Sequence, residues 1–473
     1  MKIQYLQRIL IGLGLALALA VPWASATNYY VVTSSQQPSP TPPWTNWGWA
    51  HTNLIEVVAA ARDNDTVYVT NNATYWLANQ ITVSYAITVR SWGPGGILDP
   101  TTTILDGNYP NTTNRHFTLN NYWATIAGFT LTNGWASPET NLSANGGSIY
   151  IYYGMVTNCI IMHNYALSTN VASYNSLGGG GIYMGPNAGN SGSVWNCTIS
   201  GNSAKMSGGG TINLNGTWRI ANCTISGNSA SISSAGMHIY AASTIVSNCW
   251  IVSNFATYQV CPGGILLANG AQCHNSFILG NTCDQTAGWN EGGGVRIFGG
   301  SLIRNCLIAN NMARYAGGIA AYDNSTTIQN CTVVSNYASV GWGGLYIGRT
   351  NVALKVENTI IWGNSSADTY SNWIMSANVG AVSTFSNCCT SPKFYNAYGN
   401  LTDVNTITND PRLISTTDFR LQSSSPCINA GVNRDWMENA LDVYGNRRID
   451  NFRRTVDIGA YEYLSKGTLF GFQ

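Results

Sequence analysis

One short phrase recurs along the middle of this chain and limits what it can fold into. Asn196-Cys197-Thr198-Ile199-Ser200-Gly201-Asn202 returns as Asn222-Cys223-Thr224-Ile225-Ser226-Gly227-Asn228. Further copies start at Asn248, Asn275, Asn305, Asn330 and Asn358, an earlier one at Asn158, and a degenerate last one at Asn387. From Asn196 onward the spacings are 26, 26, 27, 30, 25, 28 and 29 residues. A weaker relative begins at Gly128. Most copies follow a glycine cluster that leads a short apolar run, as at Gly178, Gly208, Gly263, Gly292, Gly317 and Gly343, with Ala235 heading a variant. Each unit holds about three short β-type runs and no helix-length pattern. Self-similarity at this period marks a solenoid or a propeller, and a propeller blade needs about 40 residues. A unit this small cannot bury its apolar face alone, whereas stacked coils share a continuous core. The expected fold is all-β, a parallel β-helix with one coil per repeat.

Alternation along the phrase puts Cys197 and Ile199 on one face and Thr198 and Ser200 on the other. Stacking then forms an interior column of Cys197, Cys223, Cys249, Cys306 and Cys331, with Cys159 and Cys388 as outer members. The asparagines just before them suit a sharp bend, because Asn tolerates the left-handed backbone, and their side chains can bond to one another up the stack. Column neighbours point the same way about 4.8 Å apart, which is poor disulfide geometry. Cys261, Cys273, Cys283, Cys389 and Cys427 lie off the column and are the better disulfide candidates. Some ten Asn-x-Ser/Thr sequons are by-products of the repeat.

Both ends differ from the repeats. Residues 1–26 read as a signal peptide: Lys2 and Arg8 precede an apolar run from Ile9 to Val21, and Ala24-Ser25-Ala26 gives an A-x-A cleavage site. The run is short for a span of about 20 residues, so the mature chain is expected to start at Thr27, exported and without a membrane span. Residues 27–100 form an N-terminal cap and first strands. Within them Leu54, Val57, Val58 and Ala61 share one helical face, with Thr52 or Asn53 as N-cap, a helix suited to plug the first coil. Residues 101–390 are the coils. Residues 391–473 are a module of higher charge density, opened by Asn409-Asp410-Pro411.

That module carries Ser425-Pro426-Cys427-Ile428-Asn429-Ala430-Gly431, then Asp442-Val443-Tyr444-Gly445-Asn446-Arg447-Arg448-Ile449, then Thr455-Val456-Asp457-Ile458-Gly459-Ala460-Tyr461-Glu462-Tyr463. With these motifs it resembles the choice-of-anchor Q domain, and the chain as a whole resembles bacterial right-handed parallel β-helix proteins of the pectin-lyase-like class. The resemblance implies a single-stranded right-handed solenoid with a cap helix and a small C-terminal module, secreted or held at a bacterial cell surface. Leu464 to Gln473 shows no apolar anchor of the kind such proteins often add.

Charge narrows the function. Only 9% of the 473 residues are charged and the formal net charge is +1, so the chain is a poor candidate for binding nucleic acid through phosphate neutralisation, or an anionic membrane surface. The polysaccharide lyases and hydrolases of the resembled class use clustered carboxylates, often with calcium. Between Thr140 and Ser339 the only acids are Asp284, Glu291 and Asp323, too few for paired carboxylates or a calcium cage. Asp442-Val443-Tyr444-Gly445-Asn446 has Tyr444 where a calcium loop needs a second acid. The five histidines have no zinc spacing. No metal site or cofactor is expected, calcium being the one ion left open.

The glycine-led strands supply the remaining candidates. With Val295 and Ile297 facing in, aligned coils present Tyr183, His238, Tyr240, Arg296, Phe298, Tyr322 and Tyr346 on one outer face. Aromatic rings stack on the apolar faces of sugars, so this row is the expected ligand-binding stripe for a polysaccharide or cell-surface glycan. Arg296, Glu291, Asp323 and His238 are the candidates for proton abstraction if the chain cleaves its ligand. The leading expectation is a non-catalytic glycan-binding or surface-structural protein. The alternatives are a lyase or hydrolase of the pectin-lyase-like class, and an adhesin or fibre subunit. Oligomeric state is left open.

Overall fold

The computed structural model describes residues 25–34, 40–136, 144–167, 178–185, 187–257, 262–284, 286, 288, 290–322, 325–348, 353–367, 371–375, 382–392, 401–449 and 454–464. The signal-peptide reading of residues 1–26 falls almost wholly outside them. The fold is a parallel β-helix. Every pairing between its strands is parallel and joins one coil to the next, and the strands form sheets of 23, 12 and 9 members. A representative coil runs Thr211–Asn213 and Thr217–Ala221 in the first sheet, Thr224–Ser226 in the second and Ser229–Ala230 in the third. The next coil repeats it in register, for example Thr224↔Trp250 and Ser229↔Phe255.

Two left-handed residues turn each coil. The first is the asparagine before the cysteine, at φ between +48° and +55° in all nine copies from Asn158 to Asn387. The second stands before the closing asparagine and is Gly201, Gly227, Ser253, Gly280, Asn310, Ser335 or Gly363 in successive coils. These are residue types that enter αL at least cost.

At the first corner the carbonyl before the asparagine accepts a backbone N–H from the neighbouring coil, and the cysteine adds a second bond to it from inside the core. The thiols of Cys159, Cys197, Cys223, Cys249, Cys306, Cys331 and Cys388 each donate to the carbonyl two residues earlier, at 3.2–3.4 Å. Where the column lacks cysteine, Ser276 and Thr359 make the same bond at 2.7 and 2.9 Å. The position therefore selects a small side chain with a donor. All these cysteines are buried and unbridged.

The bonded asparagine stack is one turn further on than expected. Asn196, Asn222 and Asn248 are exposed at the first corner, and only Asn275–Asn305 and Asn330–Asn358 bond to each other there. The continuous ladder is made by the closing asparagines, Asn164, Asn202, Asn228, Asn254, Asn281, Asn311, Asn336 and Asn364. Asn228 is typical. Its Nδ2 donates to the Ile199 carbonyl at 2.9 Å and to Asn254 Oδ1 at 3.0 Å, and its Oδ1 accepts from Asn202 N and Nδ2 at 2.9 and 3.0 Å. The second corner turns this side chain inward, where every polar atom must find a partner.

Three of the off-column disulfide candidates, Cys273, Cys389 and Cys427, are unbridged. Cys273 is buried in an interior column, in register with Val246 and Ile303, and Cys283 is buried in a second column, in register with Ala256. Cys389 and Cys427 are free in the apolar contact beneath the C-terminal module, and Cys261 lies outside the described residues.

The helix Leu54–Ala60 starts at Asn53, whose Oδ1 accepts from Ile55 N at 3.0 Å. Leu54, Val57, Val58 and Ala61 lie buried in the core of the first coils. At the other end, the last coil strand is Leu401–Val404, and the following chain folds back onto the second sheet. Outward residues there change character along the stack. Thr198, Ser200, Thr224 and Ser226 stay partly open, while Phe277, Leu307, Ala309, Val334 and Ile360 are buried against Phe419, Leu421, Val443, Ile458 and Tyr461. Arg434 pairs with the fully buried Glu357 carboxylate, and Trp436 lies under Arg304, 4.3 Å from ring centre to guanidinium.

Replacing Asn228 by Leu leaves four ladder partners short of a bond, and each buried unsatisfied group costs about 1–3 kcal/mol. The variant should lose at least ~3 kcal/mol in urea unfolding, whereas Cys223→Ser, which keeps the donor, should lose less than ~1 kcal/mol. An Asn228→Leu protein as resistant to urea as the parent contradicts the ladder's role.

Candidate functional site

Strand register brings the expected residues together in two adjacent rows on the outer face of the glycine-led strands. Tyr150, Tyr183, Ile212, His238, Leu266, Arg296, Ala320 and Tyr346 form one row. Tyr240, Phe298 and Tyr322 follow two residues later in their strands. The small Ala268 between Tyr240 and Phe298 lets their rings meet across a coil, with centroids 6.0 Å apart. Asp323 lies outside the described residues.

The face is covered, which corrects the expectation of an open stripe. Tyr183 and His238 have no exposed surface and Tyr322 has 5%. Arg296, Phe298, Tyr240 and Tyr346 are half-buried. The cover comes from residues that precede the glycine clusters. Trp342 stacks on Tyr346 at 4.1 Å and 7°. Ser233 Oγ lies 3.2 Å from His238 Nδ1. Glu291, itself buried, accepts the Tyr322 hydroxyl. Rings that would stack on a sugar are stacked on the protein.

The electrostatics follow from this burial. Desolvation, reinforced by the Arg296 charge, lowers the His238 pKa from 6.5 to about 3, so its ring is neutral at any ordinary pH. Burial first, and then the Glu291 carboxylate, hold the Tyr322 phenol far above its usual range, so it stays protonated. The Arg296 guanidinium lies 5.1 Å from the Tyr322 ring and 5.7 Å from the Phe298 ring. A buried acid bonded to a phenol and an arginine laid over two rings make a coherent structural cluster. Asp442 likewise spends its oxygens within its own turn, accepting from Tyr444 N, Asn446 N and Nδ2, and Glu462 N.

Exposed rings lie elsewhere, on the second section of the same sheet. The strand Phe117–Ala127 carries extra residues relative to its neighbour, with register shifts on either side of Tyr153. This bulge lifts Tyr122 and Trp123 off the sheet. Tyr122 packs on Tyr153 with centroids 4.0 Å apart and donates to the Gly189 carbonyl, while Asn121 Oδ1 holds Trp123 N. Trp123 is 79% exposed. Met155 and Trp195 are exposed on the same outer face. Trp195 stands in register with Thr157 and Ala221, side chains too small to cover an indole. The patch spans three coils, about 10 Å along the axis. Sequence patterning passed over these residues because Tyr122 and Trp123 interrupt an alternating run, and Trp195 directly precedes the repeat phrase.

No family model and no curated protein matches the chain. Similarity to solved structures exists at the level of the coil architecture. The Dettilon tailspike protein gp208 aligns at 11% identity and a TM-score of 0.47, over 80% of this chain and 68% of that one. XylC, solved with xylose, aligns at 9% identity and 0.43, over 93% and 99%. The catalytic domain of Agl-KA aligns at 12% identity and 0.41, over 75% and 62%.

The depressed His238 pKa has a measurable consequence. The unfolded chain takes up this proton near pH 6.5 and the folded chain only near pH 3, so stability falls as pH drops through that window. Burial lowers His116 and His274 to about 4 and adds to the same trend. His238→Leu, which continues the Ile212–Leu266 row, should flatten the fall by up to about 1.4 kcal/mol per pH unit. Urea midpoints at pH 7.5, 5.5 and 4 check this, and an unchanged slope in the variant argues against a buried neutral imidazole.

Proposed function

We propose that this protein is an exported β-helix that binds glycan without cleaving it, through the open aromatic patch of Tyr122, Trp123, Tyr153, Met155 and Trp195. The carrying observation is that Tyr122, Trp123 and Trp195 stand exposed on the sheet while the rings of the neighbouring section are buried or half-buried. Exposed indoles on a flat lattice match the apolar faces of successive sugar rings, and large exposed apolar groups collected in one place mark interaction surfaces. The low charge of the chain suits a neutral polymer. The tail motifs, resembling a choice-of-anchor Q module on a pectin-lyase-like solenoid, support secretion or a place at a bacterial cell surface.

Cleavage is the second reading, resting on the proximity of Arg296, Glu291 and His238. It is disfavoured because Glu291 is buried and bonded to Tyr322, and because the stretch from Thr140 to Ser339 holds only three acids. Size-exclusion chromatography of the chain from Thr27, mixed with xylan, glucomannan, β-glucan and pectin with and without calcium, separates the readings. The expected result is intact polymer co-eluting with protein, with retention reduced at least tenfold in Trp123→Ala/Trp195→Ala and unchanged in Arg296→Ala. Shortened polymer, abolished by Arg296→Ala or Glu291→Gln, would replace the binding reading with an enzyme.

A further inference from the structure

We propose that the N-terminal tip of the solenoid holds a second, separate site, a pocket for a neutral oligosaccharide with Trp76 as its stacking surface. The proposal rests on the glycan reading for its class of ligand, but on different residues. Among the described residues the strand Ala73–Trp76 is the outermost member of the second sheet and pairs on one side only, with Thr103–Asp106. Beside it lies a pocket of about 570 Å³, whose other wall is the start of the cap helix. That volume falls within the ~300–1,000 Å³ range of small-ligand sites.

The lining has the two components that sugars require. Trp76 offers an indole that is 68% exposed, next to a buried Tyr75 whose hydroxyl lies 2.6 Å from Thr70 Oγ1. The strand that carries the indole is therefore anchored. Thr52, Thr74 and Asn79 add hydroxyl and amide groups, and Glu56 adds an acceptor. Glu56 is held in place by Asn53 Nδ2 at 2.8 Å and by His51 Nε2 at 3.3 Å. The lining has this one carboxylate and no lysine or arginine. A uronic acid would meet the like charge of Glu56 with only the His51 ring beside it, so the pocket favours neutral sugars.

The test is titration of the full chain with xylohexaose, cellohexaose, mannohexaose and, as charged control, hexagalacturonate, read by tryptophan fluorescence and saturation-transfer NMR. At least one neutral hexamer should bind, the uronate should bind at least tenfold more weakly, and Trp76→Ala should weaken the neutral hexamer at least tenfold. Glu56→Gln should narrow the gap between neutral and charged hexamers. Because Trp76 is exposed, its variant should keep the parent's circular dichroism and melting temperature. The proposal fails if no neutral hexamer binds at millimolar concentration, or if Trp76→Ala binds as the parent does. Trp123→Ala/Trp195→Ala reads the side patch independently. Loss of hexamer binding in that variant alone removes the tip site and leaves the patch, and loss in Trp76→Ala alone supports the tip site, the patch then being judged by polymer retention.

Discussion

Each coil of this solenoid must bend sharply, and each bend takes backbone polar groups out of the regular ladder and into the core. A buried group without a partner costs as much as a hydrogen bond contributes, and the cost recurs once per coil. The repeat phrase fixes both bends, and the second meets this cost. At one corner a thiol or hydroxyl donates to the carbonyl two residues back. At the other the asparagine amide closes a bonded column along the stack. Stacking parallel strands is inexpensive once these corners are satisfied, since neighbouring coils bond to each other along the ladders. The apolar columns of Ile, Val and Leu fill the interior, but the corners determine that consecutive coils share one register.

This explains how much could be read in advance. Repeat spacing, glycine clusters and alternation were sufficient for coil number, interior cysteines and left-handed asparagines, because those follow from local geometry. The position of the bonded ladder was misassigned. Alternation specifies a face along a strand, yet at a corner the inward side chain is chosen by the left-handed residue before it, such as Gly201 before Asn202. The two rows containing His238, Arg296 and Tyr322 were legible for the same reason as the columns. Their burial was not. The cover comes from segments between the third sheet and the glycine clusters, where Glu291 and Trp342 lie, and these segments have no repeating pattern to read.

The outer faces divide by what covers them. On the second sheet, outward Thr and Ser give way to Phe, Leu, Val and Ile where the C-terminal module docks, so the module's footprint is written into the coil sequence as a change from polar to apolar. Glu357, a fully buried acid, is matched by Arg434 from the module and Gln329 from the neighbouring coil. An uncompensated carboxylate there would be costly, so the coils and the module depend on each other at this point.

What remains uncovered is then informative. A low-charge surface has few means of keeping exposed rings soluble, and most of the rings here are buried, stacked on one another or under the module. Trp123, Trp195 and Trp76 are exceptions, and each is presented by a feature of the backbone: a bulge, a row of small neighbours, and the unpaired edge of the first coil. Stability gains nothing from exposing an indole at these points, since burial of such a side chain is worth several kcal/mol. The proposed glycan, a ligand with flat apolar faces and many hydroxyls, would account for these rings and for the poor supply of acids in the same coils.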